Sequence, residues 1–113
     1  MHELAVTRSL VGLVKQEAKK QGFKRALEIR LKVGAYSGVV PDYILDLFPH
    51  VSEGTPCEGA ALLFETVPAR FRCADCGYEG EVERKSARCP VCSGTALTMT
   101  AGREFYVDSL KVE

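Results

Sequence analysis

The chain is 113 residues long, enough for one ordinary domain or a small domain carrying a smaller module. Fifteen Lys and Arg balance fifteen Asp and Glu, which argues against a nucleic-acid binder working by bulk charge, because phosphate affinity comes mainly from excess cations. No apolar run approaches the ~20 residues a bilayer span needs. The opening His2-Glu3 lacks the basic-then-apolar layout of a signal peptide, so no membrane span and a cytoplasmic location are expected.

Leu4 to Lys20 reads as a helix, because Val6, Leu10, Leu13, Val14 and Ala18 recur on one face between basic residues. Lys19 and Lys20 suit the negative end of its dipole and Gly22 the position that closes it. Leu27 to Val33 alternates apolar and polar residues, the pattern of a strand with one wet face. Gly34 to Gly38 is a loop. Pro41 can open a second helix, over Tyr43 to Phe48, and Pro49 should stop or kink it because it cannot bond back to Leu45. His50 then falls in a loop. Ala61 to Val67 is a second strand, and Arg103 to Val112 a third. In that third strand Phe105 and Val107 are out of phase with Leu110 and Val112, so a one-residue bulge near Asp108 or Ser109 is needed to put all four on one side. The expected fold class is α+β: two helices packed on a small mixed β-sheet, with an inserted module whose two C-x-x-C pairs, Cys73/Cys76 and Cys89/Cys92, make it zinc-ribbon-like. Its boundaries are expected at 1–68 plus 102–113 for the α/β domain and 69–101 for the module.

The charge is unevenly laid out. Residues 1–34 hold eight basic and three acidic residues, whereas Asp42, Asp46, Glu53, Glu58 and Glu65 make residues 35–68 wholly acidic. Either two solvated faces attract each other within the fold, or one of them docks a charged protein partner.

Four of the five cysteines form two pairs, Cys73-Ala-Asp-Cys76 and Cys89-Pro-Val-Cys92, with twelve residues between them. Each C-x-x-C turn puts two sulfurs on one side of a tight loop, and two such turns facing each other make a tetrahedral S4 cage suited to Zn²⁺. Gly77 and Ser93-Gly94 follow the pairs, where a positive φ is expected. The same sulfurs could serve a rubredoxin-type iron. Disulfides would suit a secreted chain, and a thioredoxin-like site would use one pair in a βαβ setting. Four cysteines leave no open position, so the metal should be structural. The surrounding segment is too poor in apolar residues to support a core alone. Arg70, Arg72, Lys85 and Arg88 are candidates to screen the thiolates. Cys57 lies apart in a turn-rich loop, where a small buried residue is the simplest reading.

His2 places an imidazole beside the α-amine and an intervening amide nitrogen. Three such nitrogens can chelate one ion in fused rings, a geometry suited to Ni²⁺ or Cu²⁺, although a solvated histidine would look the same. Glu3 could orient the imidazole or favour the helix start.

With these pieces in place, the chain resembles the HypA/HybF family of nickel-delivery proteins in NiFe-hydrogenase maturation. The resemblance rests on Met1-His2-Glu3-Leu4, the segment from Arg30 to Pro41, Gly54-Thr with Glu58-Gly59-Ala60, both cysteine pairs, and Gly102-Arg-Glu104 with Ser109 and Val112-Glu113. It implies Ni²⁺ as transported cargo held by His2, with the Met1 amine and Glu3 backbone contributing. It also implies structural Zn²⁺ on Cys73, Cys76, Cys89 and Cys92. The implied partners are a HypB-type accessory GTPase and the NiFe-hydrogenase large subunit, and in some members the urease accessory proteins. Two departures stand out: Pro49, where the family usually continues its second helix, and Val40-Pro41, where some members place a carboxylate ligand.

Other classes fit less well. A nucleic-acid module should show a basic, aromatic face, but residues 70–93 hold five basic and four acidic residues. A filled S4 site with no acid, base and nucleophile grouping argues against an enzyme. A zinc-stabilised adaptor without nickel remains the alternative.

Overall fold

The computed structural model describes residues 3–113. Helix α1 (Glu3–Gln21) buries Thr7, Leu10, Val11, Val14 and Ala18, residues three and four apart that share one face. Leu13, expected in that stripe, is instead 46% exposed: the stripe drifts toward Thr7 and Val11. The Thr7 hydroxyl is satisfied inside by donating to the Glu3 carbonyl at 2.7 Å. Gly22, at φ 78, donates to the Ala18 carbonyl and closes the helix.

Strand β1 (Ala26–Gly34) is the centre of a sheet in the order β2-β1-β6. It pairs parallel with β2 (Ala61–Val67) and antiparallel with β6 (Phe105–Val112). The sheet is therefore mixed. A parallel pair needs a crossover, and helix α2 (Pro41–Ser52) supplies it. Ile29, Leu31 and Val33 of β1 meet Leu10 and Val14 of α1 and Ile44 and Phe48 of α2 in one core.

Three expectations are corrected here. Pro49 does not stop α2, which runs through to Ser52. Proline costs this helix the hydrogen bond to the Leu45 carbonyl, but Leu45 and Pro49 are both exposed, so water can satisfy that oxygen. Burial of Phe48 and Ser52 then favours the helical path, since packing contributes more than propensity. His50 accordingly sits in the helix, exposed, and not in a loop. The third strand begins at Phe105, two residues late, because residues 102–104 form a corner.

The bulge lies at Asp108. Ser109 faces Arg30 and Val107 faces Leu31, leaving Asp108 without a partner. Phe105, Val107 and Leu110 thereby pack on the core. Val112 does not join them and is 42% exposed, because a second irregularity at Leu27 of β1 interrupts the ladder before it.

Between β2 and β6 the chain forms a second antiparallel sheet, ordered β4-β3-β5, from β3 (Arg70–Cys73), β4 (Glu79–Gly80) and β5 (Leu97–Ala101). The fold is thus α+β, with two helices on a small mixed sheet and a zinc-ribbon-like insert. Within residues 69–101 only Cys73, Gly80 and Cys89 are buried.

The corner joining the insert to the main sheet is built from backbone. Gly34 donates to the Glu104 carbonyl and Tyr36 to the Gly102 carbonyl, each at 2.6 Å. A Cβ on Gly34 would fall 2.2 Å from the Gly102 oxygen, and one on Gly102 would fall 2.8 Å from the Ala69 Cα. Gly102 also holds φ 125, a value side chains resist. Across the corner, the Tyr36 ring meets Phe71 edge-on at 6.3 Å, and the Arg84 guanidinium lies 4.6 Å from the Tyr36 ring centre. Among the described residues, Lys32–Glu65 is the one ion pair joining the basic first 34 residues to the acidic stretch that follows, so mutual attraction of the two stretches accounts for little of their charge. No helix among the described residues is long and apolar enough to cross a membrane.

Candidate metal centre

The two cysteine turns are built alike. The Cys73 carbonyl accepts from Gly77 and the Cys73 amide donates to the Tyr78 carbonyl, both at 2.9 Å. In the second turn the Cys89 carbonyl accepts from Ser93 and the Cys89 amide donates to the Gly94 carbonyl, again at 2.9 Å. The fifth residue of each turn takes the left-handed conformation, Gly77 at φ 78 and Ser93 at φ 60. Gly94 is needed for room, since a Cβ there would lie 3.2 Å from the Cys92 sulfur and 3.0 Å from Asp75 Oδ2.

These turns bring Cys73, Cys76, Cys89 and Cys92 together, with all four sulfurs within 4.8 Å of one another. Cys73 Sγ lies 3.6 Å from Cys92 Sγ, and Cys76 Sγ 3.5 Å from Cys89 Sγ. A tetrahedral ion with bonds of ~2.3 Å would set its sulfurs ~3.8 Å apart, so the cage fits such an ion. The same separations are far beyond a disulfide bond, and all five cysteines are free. The donor set is soft, complete and closed, suited to holding a metal and not to presenting an open position to a substrate.

The thiols are electrostatically unequal. Burial opposes ionisation of Cys89, but the amides of Cys92 and Val91 and hydrogen bonds from Cys76 and Cys92 outweigh it and bring Cys89 down to about 7. The Tyr78 amide favours the Cys76 thiolate, yet burial and the neighbouring Cys89, Cys92 and Cys73 sulfurs override it and push Cys76 up to about 12. One thiolate forms readily and its neighbours then resist, as like charges crowded together must. A cation in the cage reverses that resistance. Of the four basic candidates, Arg88 reaches the second turn, with Nη1 donating to the Ser93 carbonyl at 3.3 Å. Arg70, Arg72 and Lys85 are exposed.

Cys57 belongs to the main core. It is fully buried, and burial pushes its thiol up despite the Thr55 hydroxyl and Lys15. Glu3 begins α1, whereas Met1 and His2 lie outside the described residues. Sequence reasoning missed the corner of Gly34, Tyr36, Gly102 and Glu104. Its one available signal was a Gly-x-Tyr closing the first strand together with a Gly-x-Glu directly after the insert.

The sequence profile of the family described as "Hydrogenase/urease nickel incorporation, metallochaperone, hypA" matches residues 1–112. A hydrogenase maturation factor HypA from Caldanaerobacter subterraneus subsp. tengcongensis is 36% identical over 100% of both chains. One from Geobacter metallireducens is 38% identical, also over 100% of both. Among solved structures, one described as the solution structure of HypA protein has a TM-score of 0.76 at 23% identity, covering 100% of this chain and 97% of the other. The Ni metallochaperone HypA from Helicobacter pylori has a TM-score of 0.73 at 24% identity, covering 99% and 97%. These two likenesses speak for the fold. Profile and relatives together establish that the chain belongs to the HypA family of hydrogenase and urease nickel-incorporation metallochaperones, which are maturation factors and not enzymes.

Proposed function

We propose that the chain binds Ni²⁺ at its N-terminus and delivers it during NiFe-hydrogenase maturation, while Cys73, Cys76, Cys89 and Cys92 hold a structural Zn²⁺. The observation that carries this reading is the match of residues 1–112 to a nickel-incorporation family in a chain whose sulfur cage is closed. Four sulfurs within 4.8 Å leave no exchangeable position, so cargo needs a second site. The imidazole of His2, with the Met1 amine and the amide nitrogen between them, offers nitrogen donors in fused chelate rings, and the Glu3 amide is a further backbone nitrogen within reach of the same ion. Zn²⁺ suits the cage because it takes tetrahedral thiolate ligation without redox chemistry.

The two regions divide the work at 1–68 plus 102–113 for nickel and 69–101 for zinc. A site built of separate nitrogen donors lets an incoming ligand of the acceptor replace one donor at a time. Acid should favour release, because imidazole protonation below its ordinary pKa of about 6.5 removes a ligand. The acceptor in this reading is the hydrogenase large subunit, reached with a HypB-type GTPase in the cytoplasm. Urease accessory proteins are a second destination, in keeping with the family's hydrogenase and urease description.

Calorimetric titration of the zinc-loaded protein with Ni²⁺, beside His2→Ala, tests the assignment. One nickel per chain, lost in the variant while zinc stays at one, is expected. Equal binding by both proteins would move the site elsewhere, and no binding by either would leave a zinc-stabilised adaptor.

A further inference from the structure

The basic residues of α1, unlike Arg25, Arg30 and Lys32 further along the first segment, are not neutralised within the fold. Arg8, Lys15, Lys19 and Lys20 of α1 are all exposed, and none enters an ion pair among the described residues. Arg8, Lys15 and Lys19 are seven and four residues apart, which places them along one face of the helix at intervals of ~10 and ~6 Å.

That face is one wall of an open trough whose other wall is the segment from His50 to Pro56. One section, of about 490 Å³, is lined by Leu4, Arg8, Val11, His50 and Val51 among others. The next, of about 560 Å³, is lined by Lys19, Ala18, Phe23 and Pro56. The sections meet at Gly12 and Lys15, which line both. A Cβ on Gly12 would meet nothing within 4 Å, so the trough is unobstructed at the junction. Its floor is apolar, and its titratable lining residues are Arg8, Lys15, Lys19 and His50, with no carboxylate.

We propose that this trough docks an acidic, amphipathic helix of a partner protein. Three carboxylates on one face of such a helix, spaced at four and seven residues, would meet Arg8, Lys15 and Lys19. Apolar side chains between them would settle on Phe23 and Pro56 at one end and on Leu4 and Val51 at the other. Charge complementarity fixes the class of occupant, because a neutral helix would leave three cations facing apolar surface. A second copy of this chain is the less suitable occupant. Its own α2 carries Asp42 and Asp46, but the apolar stripe of that helix, Ile44 and Phe48, is already packed in its own core. The inference does not depend on the nickel reading, and its readout uses no nickel.

The test titrates the ¹⁵N-labelled, zinc-loaded protein with a synthetic helical peptide of about 18 residues of Ala, Leu and Glu, with Glu spaced to match. The same peptide with Gln in place of Glu serves as its partner. Amide shifts confined to residues 4–23 and 50–56 are expected. The Gln peptide and the Lys15→Glu variant should each weaken binding about tenfold or more, and Lys15→Gln by a smaller factor in the same direction. Lys111→Glu, on the far strand, should change it less than about twofold. Equal binding of the Glu and Gln peptides, or shifts scattered over the surface, would overturn the proposal. Sedimentation showing a dimer that Lys15→Glu dissolves would also overturn it, in favour of a second copy.

Discussion

Residues 3–67 with β6, and residues 69–101, differ in what their side chains bury. The first region encloses Leu10, Val14, Ile29, Leu31, Ile44 and Phe48 in one apolar core. The second encloses two cysteines and a glycine. Burial of a large apolar side chain contributes about 1.5–3 kcal/mol, so the first region has a driving force that scales with its core. The second has almost none, and a metal on four thiolates, worth about 10–16 kcal/mol in small zinc modules, is of the size required to replace it. On the proposed zinc reading, one chain combines a domain folded by hydrophobic burial with a segment folded by coordination. The corner of Gly34, Tyr36, Gly102 and Glu104 fastens the two together through backbone hydrogen bonds.

The largest break in this comparison should come from Cys89→Ser. Loss of one ligand should empty the cage of metal and expose Arg72, Arg84, Lys85 and Arg88 to trypsin, while residues 3–67 resist. Limited proteolysis with mass spectrometry, beside metal analysis, reads both effects. Gly34→Ala attacks the corner instead. Its Cβ would fall 2.2 Å from a backbone oxygen that cannot swing aside, so a loss of about 3 kcal/mol is expected, at the upper end for overpacking. Chemical denaturation followed by circular dichroism measures it, with the metal content unchanged.

Pro49→Ala should act in the opposite direction and on the first region alone. It restores the amide that can reach the Leu45 carbonyl and should add about 1–3 kcal/mol in the same assay. The smallest effect is expected at Glu104. Its own amide and those of Gly102 and Arg103 hold the carboxyl below its ordinary range, against a smaller opposing effect of burial. A carboxyl lowered in the folded state stabilises above its unfolded value near 4.5, and that contribution fades as pH falls through the folded value. Melting curves across the acid range should therefore show Glu104→Gln losing less stability on acidification than the parent chain.

Much of the first region was legible from local pattern. Alternation marked β1, the 3.6-residue period marked α1, and the phase slip between Val107 and Leu110 required the bulge found at Asp108. The S4 cage was legible because C-x-x-C spacing constrains geometry almost by itself. Pro49 misled because the cost of a missing amide is local, whereas the burial of Phe48 and Ser52 that overrides it is tertiary. Leu13 misled for a similar reason: a helical period gives a stripe, but the sheet beneath decides where the stripe ends. The corner left almost no trace, since its contacts are backbone to backbone, between residues some seventy positions apart.

The most direct test is to remove the metal and watch each region separately. ¹⁵N–¹H correlation spectra would be recorded on the zinc-loaded protein, after chelation, and after zinc is restored. The account predicts that amides of residues 70–101 collapse toward unfolded positions and return with zinc, while those of α1, β1, α2 and β2 keep their native dispersion. Native dispersion throughout the metal-free chain would contradict it, and so would collapse of both regions together.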